Sequence, residues 1–372
     1  MSSCWQHCVK CVNKFLIMEE KVLGTFVGEK ISKVRWKPED LIESNTFLTG
    51  SWDNETNQLV LWMYPSNEDD ADIYPCCVSA HPYDGDVTEL KFINNNTFVV
   101  SSSTGSVKLF KIEGKGSRSS EFKEFNSWNS IHYFSFERSS PCTGLACFEE
   151  DIATVGEDGR LVLLTARQKR PVRRIEKADS CSLHCVCFLK HNEVLTGNLR
   201  GQMKVWDLKN PADKPATTFM LSGEQVAASC VTHHPTQCHM VLAGGEDGSL
   251  TVWDLRRNTF PVTLLSAHSD TVSELHFHPD RPEHLFTCSM SGEVWHWNTS
   301  SMSRPARLGT TLPEFSGDEN PWLNSDAAKH RLEVFTLMPQ LHKPVNSLDV
   351  NKNRVVCGCD NEAVYVLKNI VL

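Results

Sequence analysis

Residues 240–254 read Met-Val-Leu-Ala-Gly-Gly-Glu-Asp-Gly-Ser-Leu-Thr-Val-Trp-Asp, two apolar runs hinged on a Glu-Asp-Gly turn. Short β-rich runs on either side of such a turn read as an antiparallel hairpin. Trp253 stands five residues beyond Gly248, and the same step recurs along the chain. It leads from Gly105 to Phe110, from Gly159 to Leu164, from Gly201 to Trp206 and from Gly292 to Trp297. Asn57 to Trp62 and Glu362 to Leu367 keep the step without the glycine, which makes seven units. Self-similarity at a period of about 40–50 residues marks a repeat architecture.

Each unit repeats one order of elements. Residues 88–93, 97–102 and 106–112 are short β-rich runs separated by Asn or Gly turns. Residues 227–233, 240–243 and 249–255 do the same, as do 272–278, 285–289 and 293–297. A fourth run follows a charged or proline-containing connection, at 171–175, 216–221 and 261–266. Four antiparallel strands in each of seven units predict an all-β chain, a seven-bladed β-propeller. The last unit supplies only three runs, at 345–350, 354–358 and 363–367. A blade left with three strands would expose an apolar edge. The lone apolar run 22–27, just before the first blade's inner run at Ile31–Trp36, is therefore expected to complete blade seven and close the ring.

A length of 372 residues alone suggests two or three domains, but an array of one repeated unit can form a single body of this size. The net charge of −9 argues against sequence-independent nucleic-acid binding, which needs a basic face. The 15 cysteines are scattered, and Cys181, Cys185, Cys187, Cys288 and Cys357 lie in apolar runs. That pattern suits buried free thiols and a reducing cytosolic or nuclear setting. No window reaches the roughly 18 apolar residues of a membrane-spanning helix. Residues 1–17 stand apart from the repeat. Lys10 and Lys14 interrupt their apolar residues as no signal peptide allows. Cys4, Cys8 and Cys11 lack a second ligand pair at zinc-finger spacing. A disordered extension over 1–17 is expected, followed by a single propeller over 18–372 with a long loop at about 299–330.

Trp206-Asp207, Trp253-Asp254, Phe277-His278-Pro279 and Ser266-Ala267-His268 resemble WD40 repeats. The resemblance implies a hydrogen-bonded tetrad of His, Ser/Thr, Trp and turn Asp in a complete blade. On that pattern blade six offers His268, Ser289 and Trp297, with Ser291 in place of the acid. Blade five offers Asp247 and Trp253, with Gly245 in place of the hydroxyl. Blade three keeps Asp158 but has Leu164 at the aromatic position, while Trp62 and Trp206 fill it in blades one and four. These are structural residues. A buried hydrogen bond contributes about 1 kcal/mol net, so incomplete tetrads weaken single blades more than the architecture.

More specific strings point further. Thr49-Gly50-Ser51-Trp52-Asp53-Asn54-Glu55, Pro141-Cys142-Thr143-Gly144 and Val155-Gly156-Glu157-Asp158-Gly159-Arg160 are three of them. Others are Ser102-Ser103-Thr104-Gly105, Pro282-Glu283-His284-Leu285-Phe286-Thr287-Cys288-Ser289, Trp295-His296-Trp297 and Val345-Asn346-Ser347-Leu348-Asp349-Val350. From about Met18 to the C-terminus the chain resembles the small WD40 nucleoporins of the Y-shaped outer-ring complex of the nuclear pore. The resemblance implies a non-enzymatic scaffold without cofactor, docked on larger α-solenoid nucleoporins in the short arm. It further implies roles in pore assembly and in transport of protein and messenger RNA, residence at the nuclear envelope, and presence at kinetochores in mitosis. A rival reading rests on Trp253-Asp254-Leu255-Arg256, which resembles the Trp-Asp-x-Arg pattern of propellers serving as substrate receptors of cullin-based ubiquitin ligases. Only one copy occurs.

Two features stand out as candidate partner-binding sites. Arg167, Lys169, Arg170, Arg173 and Arg174 crowd together between the third and fourth runs of blade three. They read as charge that keeps an edge strand from pairing with a neighbour, as a docking patch for an acidic partner, or, less readily, as a nuclear-localisation or nucleic-acid patch. Trp322, in the long loop, either docks that loop on the blade or anchors a partner. Residues 113–123 and 129–141 read as connectors. No Gly-x-Ser-x-Gly elbow, phosphate loop or His-Glu-x-x-His motif occurs. Neither a small-molecule substrate nor direct nucleic-acid binding is expected.

Overall fold

The computed structural model describes residues 21–39, 43–64, 74–114, 120–135, 137–257, 259–300, 320–323 and 332–372. The expected extension over 1–17 and nearly all of the loop at 299–330 lie outside them. Seven four-stranded antiparallel sheets form seven blades. Blade one comprises Ile31–Trp36, Thr46–Ser51, Asn57–Met63 and Cys76–Tyr83, from innermost to outermost strand. Blade six comprises Val272–Phe277, His284–Ser289, Val294–Asn298 and Glu333–Thr336.

Blade seven draws on both ends of the chain. Val345–Asn351, Arg354–Cys359 and Ala363–Lys368 supply three strands. Lys21–Phe26 adds the fourth, in register from Lys21 opposite Lys368 to Phe26 opposite Ala363. The run expected at 22–27 thus closes the ring, displaced by one residue.

The core is distributed rather than central. Seven buried clusters each join two neighbouring blades. Ile31, Val34 and Trp36 of blade one pack with Val356, Val364 and Val366 of blade seven. Phe286, Cys288 and Val294 of blade six pack with Val345, Leu348 and Val355 of blade seven. Strand alternation supplies both faces of each sheet with apolar side chains, so every blade is covered on two sides.

The anchor glycines mark the turn into each third strand. Gly105, Gly159, Gly201, Gly248 and Gly292 all have positive φ. At Gly248 a Cβ would also collide with the His268 carbonyl oxygen, which explains why glycine holds this turn position in five of the seven blades while the residue five places on varies. Blade seven accepts Glu362 at the same place with φ 60°.

Two connectors prove more ordered than their composition suggests. Val107–Gly114 and Ser120–Trp128 pair from Val107–Trp128 out to Gly114–Ser120, so much of 113–123 is strand. Lys and Glu on the exposed face of a half-buried strand disguised it as a linker. Within 129–141, Tyr133–Ser135 pairs with Arg138–Ser139.

Candidate functional site and the closure of the ring

The blade-locking residues follow one rule of register. The tryptophan indole reaches a hydroxyl two positions beyond its cross-strand partner. Trp62 lies opposite Phe47 and donates to Thr49 Oγ1 at 2.9 Å. Trp206 lies opposite Val194 and donates to Thr196 Oγ1 at 3.0 Å. Trp297 lies opposite Leu285 and donates to Thr287 Oγ1 at 2.9 Å.

This corrects the reading of blades five and six. In blade six the hydroxyl is Thr287, not Ser289, and it also meets His268 Nε2 at 2.8 Å. The acid is not lost to Ser291, because Glu293 Oε2 stands 3.2 Å from His268 Nδ1. The hydrogen bond to His268, reinforced by Ser291, holds the Glu293 carboxyl below its usual range. Ser289 instead shares a hydrogen bond with Ser291. In blade five the vacant hydroxyl position is Ala243, which lies two beyond Val241, not Gly245. Trp253 donates to the Leu221 carbonyl at 3.2 Å, and Asp247 accepts from the Ser249 amide at 3.0 Å within its own turn.

Blade three is more complete than its sequence suggested. His132, inside the supposed connector, lies 3.0 Å from Asp158 Oδ1 and 3.0 Å from Thr154 Oγ1. Burial opposes ionisation of Asp158, but His132 and Arg160 outweigh it and hold the carboxyl down at about 2. The signal for His132 was its approach to the Gly-Glu-Asp-Gly turn in space, which linear spacing hides behind an irregular loop.

The inner strands line the central channel, and each carries a register shift at the same place, as at Ile31/Lys33, Val87/Glu89, Val272/Glu274 and Val345/Ser347. The residues just after it run Lys33, Glu89, Gly144, Cys185, Cys230, Glu274 and Ser347 in blade order. Two positions on stand Arg35, Lys91, Ala146, Cys187, Thr232, His276 and Asp349. Charge is thus confined to blades six, seven, one and two, and the opposite arc is small or thiol-bearing.

Arg35, 4% exposed, organises the charged arc. Its guanidinium donates to Glu274 Oε2 at 3.0 Å and Oε1 at 2.8 Å, and to Glu89 Oε1 at 2.7 Å. It also donates to Ser347 Oγ at 2.9 Å and to the carbonyl of Leu90 at 3.0 Å. Glu274 accepts further from Ser347 Oγ at 2.9 Å and from the Leu348 amide at 3.1 Å, and Lys33 pairs with it. Burial opposes the charge of Glu274, but Arg35 and Lys33 overcome it and hold the carboxyl well below the usual range. A buried ion pair survives only when its remaining donors and acceptors are met in this way. The sequence reading missed this network, although Lys33-Val-Arg35, Glu89 and Glu274 in otherwise apolar inner strands were its signal.

On the thiol arc, burial pushes Cys187 and Cys230 up to about 12. Such thiols stay protonated and unreactive.

The basic cluster divides. Arg173 is tied into the neighbouring blade, donating to the Asn210 carbonyl and to Asp213 Oδ1, both at 2.7 Å. Arg167 pairs with Glu150. The side chains of Lys169, Arg170 and Arg174 are exposed and form no hydrogen bond or ion pair among the described residues. Trp322 is 1% exposed, packed edge-on to Phe277 at 6.5 Å. That burial removes it as a partner anchor and leaves it docking the loop onto the junction of blades five and six.

Comparison with known proteins agrees with this architecture. The family "WD domain, G-beta repeat" matches residues 75–111, 214–254 and 259–298. The human protein Nucleoporin Nup43 is 39% identical over 382 aligned residues, covering 94% of this chain and 99% of its own. The mouse Nucleoporin Nup43 matches to the same extent. A Dictyostelium discoideum nuclear pore complex protein nup43 is 24% identical over 60% of this chain and 52% of its own. Joined to a closed seven-bladed ring, identity at this level along nearly the whole of both chains means that this chain belongs to the Nup43 family of WD40 nucleoporins.

Proposed function

We propose that this chain is a non-enzymatic scaffold subunit of the nuclear pore complex, placed in its Y-shaped outer ring. The observation that carries this reading is the end-to-end match to the human and mouse nucleoporins. The structure supports a binding role in two ways. The channel charges are spent on one another and on the backbone. The thiols of Cys187 and the half-buried Cys230 are held protonated. What remains for partners is the outer surface of a rigid ring, and larger α-solenoid nucleoporins of the short arm are the partners this reading names. Support of pore assembly, transport of protein and messenger RNA, residence at the nuclear envelope and presence of the complex at mitotic kinetochores belong to the same reading.

The ligase-receptor alternative gains nothing from the fold. Trp253 is 2% exposed and takes no part in a surface, which leaves only Arg256, exposed and paired with Asp254 at 2.7 Å, to carry the motif. Affinity purification of the tagged chain from nuclear extract, followed by mass spectrometry, separates the two. Outer-ring α-solenoid nucleoporins at near-stoichiometric yield are expected. A ligase adaptor and cullin without them would overturn the proposal.

A further inference from the structure

The outer rim where blades two and three meet carries an arrangement that ring closure does not require. Asn126, in the outermost strand of blade two, donates to the Gln168 carbonyl at 2.9 Å and so ties blade three's outer hairpin to blade two. Next to Asn126, Phe125 is the extra residue of a bulge. Leu109 pairs with Asn126 and Phe110 with Glu124, which leaves Phe125 no cross-strand partner. Bulges re-aim side chains, and Phe125 is 63% exposed. Val172, four residues after Gln168 on the tied hairpin, is 58% exposed. The same hairpin and the strand that follows it present Lys169, Arg170 and Arg174, the three cations of the cluster without a partner among the described residues.

We propose that this rim docks an acidic segment of another pore subunit, with an apolar side chain of that segment seated on Phe125 and Val172 and its carboxylates facing Lys169, Arg170 and Arg174. The inference rests on the scaffold reading above. Charge complementarity selects the occupant, since a chain of net charge −9 concentrates three uncompensated cations here. A nucleic-acid strand fits less well, because three cations around two aliphatic and aromatic side chains offer few phosphate contacts. Protein docking sites, by contrast, centre on such apolar anchors with charge at the rim.

The test has two arms. Carbodiimide joins an amine to a carboxylate only in direct contact, so treatment of the native pore assembly should link Lys169 to an Asp or Glu of another subunit. In parallel, the tagged chain carrying Lys169→Glu and Arg170→Glu, and separately Phe125→Asp, should co-purify pore subunits at least about tenfold less than wild type in physiological salt. The double charge variant alters only exposed side chains and should keep the wild-type melting temperature, so its loss of binding cannot be blamed on unfolding. Wild-type recovery of pore subunits is the control for the scaffold reading, and its failure would sink that reading. Wild-type recovery matched by all variants would overturn the docking proposal alone. So would variant-sensitive binding that nuclease treatment abolishes, since that would assign the patch to nucleic acid.

Discussion

Arg35 of blade one and Glu274 of blade six form a two-pronged ion pair at 2.8 and 3.0 Å, with Ser347 of blade seven bonded to both. Blade seven is the one blade assembled from both chain ends. The pair therefore grips the blades on either side of the seam, and Glu89 extends the grip to blade two. Breaking a buried pair by removing one partner leaves an uncompensated charge, at a cost of about 3–5 kcal/mol. Arg35→Met and Glu274→Gln should each show that loss in denaturant unfolding. The double variant should cost clearly less than the sum, because neither charge is then left alone. Simple additivity would show that the pair does not act as a unit.

The seam also depends on Lys21–Phe26. Removing residues 1–17 should leave the melting temperature nearly unchanged. Removal through Val27 should expose the edge of Ala363–Lys368 and give an aggregating chain. A soluble chain beginning at Gly28 with cooperative unfolding would refute closure by this strand.

Within blade six, Thr287→Val strips the acceptor from the Trp297 indole and the hydroxyl partner from His268 Nε2. It should destabilise by about 1–3 kcal/mol, the penalty for buried groups left unsatisfied. Ser289→Ala removes only the bond to Ser291 and should cost less than about 1 kcal/mol. The reverse order would restore Ser289 as the locking hydroxyl.

Acid should loosen the ring well before the carboxylates titrate. His284 Nδ1 and His296 Nε2 share a hydrogen bond at 2.9 Å. Burial, with the neighbouring His284, pushes His296 down to about 3, and burial with His233 pushes His234 down to about 4. An unfolded histidine titrates near 6.5, so below that pH the unfolded state binds these protons first. Their contribution is whole above about pH 6.5 and falls by about 1.4 kcal/mol per unit per histidine as the pH drops towards the folded values. Unfolding measured from pH 7 to 5 should show this slope, and His296→Phe should reduce it by about one proton. An unchanged slope in the variant would exclude His296 as its source. Asp158, held at about 2, keeps its contribution through this window and loses it only at lower pH.

Fold and site were not equally legible in the sequence. The Gly-to-aromatic step and the three-run units fixed blade number and strand order, because turn chemistry and alternation are local. Closure by 22–27 followed from counting strands in the last unit. The locking hydroxyl of blade six went astray because Thr287 and Ser289 share a face of one strand, and only the cross-strand partner of Trp297 distinguishes them. His132 was hidden by an irregular connection, and the channel network by distance, since Arg35 and Glu274 are 239 residues apart. The basic cluster was visible as a run of charge. Its division into tethered Arg173 and unpartnered Lys169, Arg170 and Arg174 required the neighbouring blade.

The most direct test of the account is the position of the fluorescently tagged full-length chain in interphase cells depleted of the endogenous protein. A punctate signal along the nuclear rim, coincident with an outer-ring α-solenoid subunit and slow to recover after photobleaching, is the result a pore scaffold requires. A diffuse or cytoplasmic signal with rapid recovery, from a chain shown to be folded, would contradict it.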